Sequence, residues 1–471
     1  MTAWLGKKIF GEILSRDYQS IENSPSSEYV NILTNALNLI SISISSIFRF
    51  FASSLTLIAI LFVLFMQDFA TALPLFVLIS LNYLVIILKG TSSVKETSKE
   101  NLRLSELILN RLKETFGSIR YIKISNTQEM FAAVYNKLNA KLRQNQAKIA
   151  FYQQKPRYTV SSALLIIIIG IASFRLIYSE KPDEALLEIF TVLIGCARLV
   201  TPMQVLFVNY SKISEAIPSF KLIHPYIQSI ANTDMNLKNL PLEIRLEDKL
   251  KHLTLSNVFY KYNNCSTDFG VSIDLKVNKG DKIAIIGKSG SGKSTIMDLM
   301  MGLLLPTNGT VSYNNVSLEN TNIFQYHRKI THVPQIPFLL DDSLVNNICF
   351  SFTSENVDLQ KVYEVMRLAC IEELIPYLDT DASIGEDGSK LSGGQRQRLA
   401  IARGLYNISE ILFLDEATSA LDEATEKLIL SNIFHYYNNL TLISITHRLE
   451  TLNLYDKAFE VKNGIGKCIA L

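Results

Sequence analysis

Four long apolar runs lie in the N-terminal half of the chain: Ile40 to Met66, Phe69 to Leu88, Tyr158 to Tyr178 and Ala185 to Val208. A helix needs roughly 20 mostly apolar residues to cross the hydrocarbon core of a bilayer. Each run meets that length, so membrane spans are predicted at about 40–66, 69–88, 158–178 and 185–208. The first two are joined only by Gln67-Asp68, and the last two by Ser179 to Glu184. Between the second and third lies a polar stretch, Lys89 to Arg157, with 14 Lys or Arg and 5 Asp or Glu. The Leu and Ile spacing of LRLSELILNRL within it predicts helices that continue the second and third spans beyond the bilayer. Basic loops stay in the cytoplasm. The N-terminus, this stretch and everything after Val208 are therefore expected on the cytoplasmic side. Arg49 and Arg175 fall near span ends, where long cations snorkel. Arg198 is nearer mid-span, with a lining or a packing role both open.

After Pro225 the pattern changes. Residues 226–250 are polar and read as a linker. From His252 onward short β-rich runs such as KIAIIG and ILFLDE alternate with helical segments, the mark of an α/β domain. The expected organisation is an all-α transmembrane domain over 1–225 and an α/β domain over 251–471. Composition agrees: 48% hydrophobic, 19% charged, mean hydropathy +0.19. These values exclude a disordered or collagen-like chain. A net charge of +2 implies no general attraction to nucleic acid. The cysteines, Cys196, Cys265, Cys349, Cys370 and Cys468, form no CxxC pair and indicate neither a metal knuckle nor a disulfide framework.

The chemistry concentrates in the α/β half. Gly287-Lys288-Ser289-Gly290-Ser291-Gly292-Lys293-Ser294-Thr295 matches GxxxxGK[ST], with an apolar strand before it and a helix-like run, Ile296 to Leu304, after it. Glycines let backbone N–H groups turn around phosphate oxygens, and a helix N-terminus adds a positive dipole end. Lys293 is the candidate for the β- and γ-phosphates and Ser294 for Mg²⁺. Ile411 to Leu414 is an apolar strand ending in Asp415 and Glu416. Asp415 is placed to hold Mg²⁺ through water, and Glu416 to polarise the attacking water as general base. Between the two motifs, Ser392-Gly393-Gly394-Gln395 reads as a capped helix start and a further anion-binding N-terminus.

The longer strings LSGGQRQR and FLDEATSALD closely resemble the ABC transporter ATPase family, over about residues 252–461. That resemblance implies an ATPase with ATP and Mg²⁺ as ligands. Gln335 in VPQIPF matches the glutamine that senses Mg²⁺ and the γ-phosphate. His447 in ISITHRL matches the switch histidine. Tyr262 matches the aromatic that stacks on adenine, with Tyr260 as the core-facing alternative. Asp422 matches the loop that communicates between paired subunits. In the family, the signature segment of one copy caps ATP held by another. A chain with one nucleotide domain is therefore expected to pair with a second copy or a related half-transporter.

The membrane half resembles the exporter type, which has six helices per chain. Four are counted here, so the first two are expected to be absent. FGSIRYIK resembles the coupling helix of the second intracellular loop. The segments FYQQKPRYTVSS and IRYIKISNTQEMF resemble lipid-linked oligosaccharide flippases. The implied cargo is a lipid-linked, saccharide or other amphiphilic molecule, and the implied place a bacterial inner membrane. A drug or peptide exporter, and a non-transporting subunit that modulates a complete partner, stay open as alternatives.

Overall fold

The computed structural model describes residues 2–67, 69–178, 182–236, 249–261, 270–319, 322–351, 357–378 and 382–469. The chain divides into two units, Met1–Asn239 and Leu240–Leu471.

The first unit is helical. Short helices α1 (Thr2–Leu14), α2 (Tyr18–Glu22) and α3 (Ser26–Asn31) lead through a π-helical turn, Ile32–Ala36, into α4 (Leu37–Gln67). Then come α5 (Phe69–Gly117), α6 (Ile119–Ser125), α7 (Gln128–Tyr178) and α8 (Pro182–Asn236). Each apolar run lies inside one long helix: α4, α5, α7 and α8 in turn. The polar stretch after Leu88 is helical as well, in α5, α6 and α7, with Asn126 in a left-handed conformation closing α6. Among the described residues, the continuous helical stretch Ser26–Val63 is long and apolar enough to cross a membrane, with a mean hydropathy of 2.0. Phe48, Phe51, Leu55, Ile58 and Phe62, spaced by three and four along α4, are all exposed. A contiguous outward stripe of large apolar side chains suits lipid and not water.

Part of the segment read as a linker over 226–250 is helical: α8 continues through Pro218 and Pro225 to Asn236. Proline removes one helical hydrogen bond, but packing holds the axis on either side. Ile223 and Tyr226 are buried with Ile9, Ile13, Ile32 and Ile40. The Arg16 guanidinium lies 4.1 Å over the Tyr226 ring, and Ser229 donates to Glu12. Residues 237–248 lie outside the described ones. Arg49 and Arg198 are exposed.

The second unit is built on a ten-stranded sheet. Its strands are β1 (His252–Lys261), β2 (Gly270–Asn278), β3 (Lys282–Gly287), β4 (Asn308–Tyr313), β5 (Val316–Ser317), β6 (Ile330–Val333), β7 (Ile411–Asp415), β8 (Thr441–Ile445), β9 (Lys457–Lys462) and β10 (Ile465–Ile469). The order is β5-β4-β1-β2-β10-β9-β3-β8-β7-β6. The segment β3-β8-β7-β6 is all parallel. Parallel sheets are covered on both faces and read as continuous apolar runs. Here Ile411 and Phe413 face one core, with α9 (Lys293–Met301) and α10 (Ile323–His327). Leu412 and Leu414 face the other, built from α11 (Leu344–Cys349), α12 (Leu359–Leu368), α13 (Gly393–Tyr406) and α14 (Glu423–Tyr436).

Helix α13 packs tightly on the sheet at Gly404, where an added Cβ would meet Val333 Cγ2 at 2.6 Å. Val333 is buried and cannot yield. Gly404→Ala gains about 1 kcal/mol of helix propensity but overpacks the interface by about 1–3 kcal/mol. A net fall in the melting temperature of the detergent-solubilised chain is expected; a rise would show that the interface is looser than this contact.

Candidate active site at the carboxyl edge of the parallel sheet

Ligands of open parallel sheets bind outside the carboxyl ends of the strands. Four strand ends meet here. Strand β3 leads into Lys288–Gly292 and α9, β8 into Thr446 and His447, β7 into Glu416, and β6 into Pro334 and Gln335. Parallel pairing sets their level: Ile285 lies beside Ile445, Asp415 beside Ile445, and Val333 beside Leu414.

The loop after β3 is shaped by its glycines. Gly287 approaches β9 so closely that a Cβ would lie 2.4 Å from the Val461 carbonyl oxygen. Gly292 caps α9 with φ of +101°, a left-handed conformation that side chains resist. Helix α9 is anchored by Ile296, Met297, Leu299, Met300 and Met301, all buried. Lys293, 6% exposed, folds back over the loop and donates to the carbonyl oxygens of Gly287 and Lys288, each at 3.0 Å. Burial lowers its pKa from the usual lysine value, while the charges of Glu416 and Asp415 oppose that shift. Ser291 Oγ is buried without a hydrogen-bond partner among the described residues. Ser294, on the first turn of α9, is exposed. Beside the loop lies a cavity of about 690 Å³ lined by Gly287, Lys288, Ser289, Gly290, Ser291, Thr446, His447 and Asn463.

Glu416 is the centre of the site. Its backbone takes φ of +46°, and its N–H donates to the Ile445 carbonyl at 3.2 Å. A left-handed conformation at a bulky residue is uncommon and costs energy, which the surrounding strands hold in place. Gln335 Nε2 donates to Glu416 Oε2 at 2.7 Å, and His447 Nε2 meets Glu416 Oε1 at 2.8 Å. A carboxylate only accepts hydrogen bonds. The imidazole proton in this contact is therefore on Nε2. Asp415 is half-buried beside it, and burial followed by the Glu416 charge raises its pKa above the ordinary 3.8, with Lys293 pulling the other way. The loop hydroxyls, the Asp415 carboxylate and Gln335 Oε1 are hard oxygen donors of the kind that suit Mg²⁺. Among the described residues no group of three or more His, Cys, Asp or Glu gathers as a metal site.

The sequence reading is thus brought together at Lys293, Asp415, Glu416, Gln335 and His447. Tyr262 lies outside the described residues. Tyr260 is buried in the sheet core. Ser392 caps α13: its Oγ accepts from the Gln395 N–H at 3.2 Å, and Gln395 Oε1 accepts from the Ser392 N–H at 2.9 Å. Gly393 and Gly394 form the first turn behind it. Among the described residues, no hydrogen bond joins this turn to the loop of its own chain. Asp422 caps α14, accepting from Thr425 N–H at 2.9 Å and Thr425 Oγ1 at 2.7 Å, and these bonds hold its carboxyl below the usual range. Motif reading missed Gln397, Glu426 and Arg448. A signal existed for Glu426, which shares the 3–4 spacing of Ile429, Leu430 and Ile433 on the buried face of α14.

Residues 1–197 match the family model described as ABC transporter transmembrane region, and residues 271–419 the one described as ABC transporter. The heterocyst differentiation ATP-binding protein HepA of a Nostoc species is 30% identical, over 98% of this chain and 74% of its own length. The chain belongs to the ABC transporter family. A protein of Rickettsia typhi named for export as an ATP-binding/permease protein is 27% identical over 97% of this chain and 79% of its own. The structure of a bacterial Atm1-family ABC exporter with ATP bound shares the fold, with a TM-score of 0.80 at 21% identity, over 98% of this chain and 80% of that one. The ABC chain is an exporter-type half-transporter, a membrane protein with an ATPase domain that couples ATP hydrolysis to transport.

The elevated pKa of Asp415 means that its charged form is disfavoured by folding. The carboxylate therefore subtracts stability above its folded pKa and has no effect below its ordinary value. Asp415→Asn is expected to raise the melting temperature of the nucleotide- and metal-free transporter at about pH 7.5, with the gain shrinking as pH falls. An equal or larger gain in acid would contradict the assignment.

Proposed function

We propose that this half-transporter hydrolyses ATP at the Glu416 site, completed by a second copy of itself or a related half-transporter, and moves a lipid-linked, saccharide or other amphiphilic molecule. The observation that carries the ATPase part is the Glu416 carboxylate held between Gln335 and His447, beside Asp415 and the Lys293 loop.

In this reading the loop Gly287 to Thr295 cradles the phosphates, with Lys293 exchanging its two carbonyl contacts for the β- and γ-phosphate oxygens. Ser291, with no partner among the described residues, suits a phosphate oxygen. Tyr262 stacks on adenine. Ser294, Gln335 and Asp415 would hold Mg²⁺, which would supply charge neutralisation for the phosphates. The donor set fits it, because hydroxyl, amide and carboxylate oxygens are the hard donors that suit Mg²⁺.

Glu416 is the general base. It takes a proton from the water whose oxygen attacks the γ-phosphorus, while the bond to the bridging oxygen of ADP breaks. Each of its oxygens takes one of these bonds and keeps a lone pair with which to accept from the water. The γ-phosphate is an acceptor that competes for His447 Nε2, which is the switch.

Ser392, Gly393, Gly394 and Gln395 cap the nucleotide of the partner copy, and Asp422 faces that partner. Support comes from the geometry of α13, whose capped turn, among the described residues, makes no hydrogen bond to the Gly287–Thr295 loop of its own chain. ATP thereby joins the two ATPase domains, and hydrolysis lets them part. The ATPase domain and N-terminus lie in the cytoplasm of a bacterial inner membrane, an orientation supported by the basic stretch Lys89 to Arg157. The flippase-like segments FYQQKPRYTVSS and IRYIKISNTQEMF support the cargo class.

Glu416→Gln is expected to retain ATP binding while lowering turnover by about a hundredfold or more; wild-type turnover would remove Glu416 as base. Lys293→Ala should weaken ATP binding by about tenfold or more, since a charge-assisted contact is lost; equilibrium binding measures it. For the paired site, chains carrying Ser392→Arg and chains carrying Lys293→Ala are mixed. One intact composite site is possible only in trans, so activity above either variant alone supports the arrangement, and its absence contradicts it.

A further inference from the structure

The loop that runs from Glu416 to Asp422 is held from two sides by side chains to which the ATPase reading assigns no role. On one side stands Glu426 of α14, 2% exposed. It accepts from Thr418 Oγ1 at 2.8 Å and from Arg448 Nη1 at 2.8 Å. The other guanidinium nitrogen of Arg448, Nη2, donates to the Leu421 carbonyl. Arg448 directly follows His447, and its own backbone is fixed by bonds to Thr446 Oγ1 and Thr451 Oγ1. On the other side stands Gln397 of α13, 5% exposed. Its Nε2 donates to Ser419 Oγ at 3.0 Å, and its Oε1 accepts from the Ala420 N–H at 2.7 Å. Every residue from Thr418 to Leu421 thus has one polar tie, to α14, to α13 or to the His447 segment.

We propose that Arg448, Glu426 and Gln397 are positioning residues for ATP hydrolysis, which lock the Glu416-to-Asp422 loop to the switch histidine on one side and to the Ser392 helix on the other. The inference rests on the reading of Glu416 as general base.

The physical reason lies in burial. Glu426 is shielded from water, so its charge is tolerable only with the guanidinium beside it. The pair therefore has one favoured geometry. That geometry fixes how far His447 stands from the strand end that carries Glu416. Through Gln397 the same loop also sets where α13 begins relative to Asp422. Within one chain, a shift at its own carboxylate site is thereby carried to the turn offered to the partner's nucleotide. None of the three residues touches the phosphate loop among the described residues, so they govern turnover and not nucleotide affinity.

The test uses the full chain, purified in nanodiscs, with ATP turnover and equilibrium binding of a fluorescent ATP analogue measured in parallel. Arg448→Met is expected to lower kcat per binding-competent site by about tenfold or more, with KM and analogue affinity within about threefold of wild type. Gln397→Ala should show the same split. Arg448→Lys, which can satisfy Glu426 but not the Leu421 carbonyl at the same time, should recover part of kcat. Glu426→Gln keeps the volume, and the Thr418 hydroxyl can turn to suit it, so it provides a variant that folds if Arg448→Met does not. The double variant Arg448→Met with Glu426→Gln should be no slower than the slower single one, because the pair is already broken. A wild-type kcat per binding site in Arg448→Met, with only the melting temperature reduced, would mark the pair as structural and overturn the proposal. Strictly multiplicative losses in the double variant would do the same. Lys293→Ala, run alongside, separates the levels. If it loses binding while Arg448→Met keeps full kcat, only this proposal falls. If it keeps binding, the site assignment beneath it falls.

Discussion

Two adjacent carboxylates, Asp415 and Glu416, stand at the end of a strand whose preceding four residues are all buried. Low dielectric and like charge both disfavour that arrangement. It survives because each carboxylate has a different answer. Asp415 lies in the field of Lys293. Glu416 turns aside through a left-handed backbone and takes hydrogen bonds from Gln335 and His447. The protein alone does not complete this balance, since Asp415 still stands above its usual pKa.

The sheet order makes the cluster possible. Chain order places Gln335, Glu416 and His447 far apart, but β6, β7 and β8 are neighbours, next to β3. Parallel strands deliver their following residues to the same edge. Register then places those residues at one level, and the two flanking apolar cores keep the strands from sliding. The capped turn of α13 satisfies its own first-turn groups through Ser392 and Gln395.

In the first unit, the apolar runs and the polar stretch between them form long helices without a break at the composition change. Helix α5 carries its axis from apolar Phe69 to Leu88 into the charged segment that ends at Gly117. A continuous helix is a stiff rod, so displacement at one end is felt at the other. Such rods suit a family in which ATP hydrolysis drives rearrangement of membrane helices.

Much of this was legible in the linear pattern. Hydropathy located the four long helices, because length and apolarity are local properties. The glycine-spaced loop between β3 and α9 was legible as a strand–loop–helix turn, and the LSGGQRQR and FLDEATSALD strings carried the family. Two things were not legible. The helical continuation of α8 from 226 to Asn236 was not legible, because the burial of Ile223 and Tyr226 with Ile9 and Ile13 is contained in no local window. The pairing of Glu416 with Gln335 and His447, and the buried tie from Glu426 to Arg448, were likewise decided by tertiary structure alone. Strand order and register join residues that are distant in the chain, and the energy of a buried charge depends on neighbours that only folding supplies.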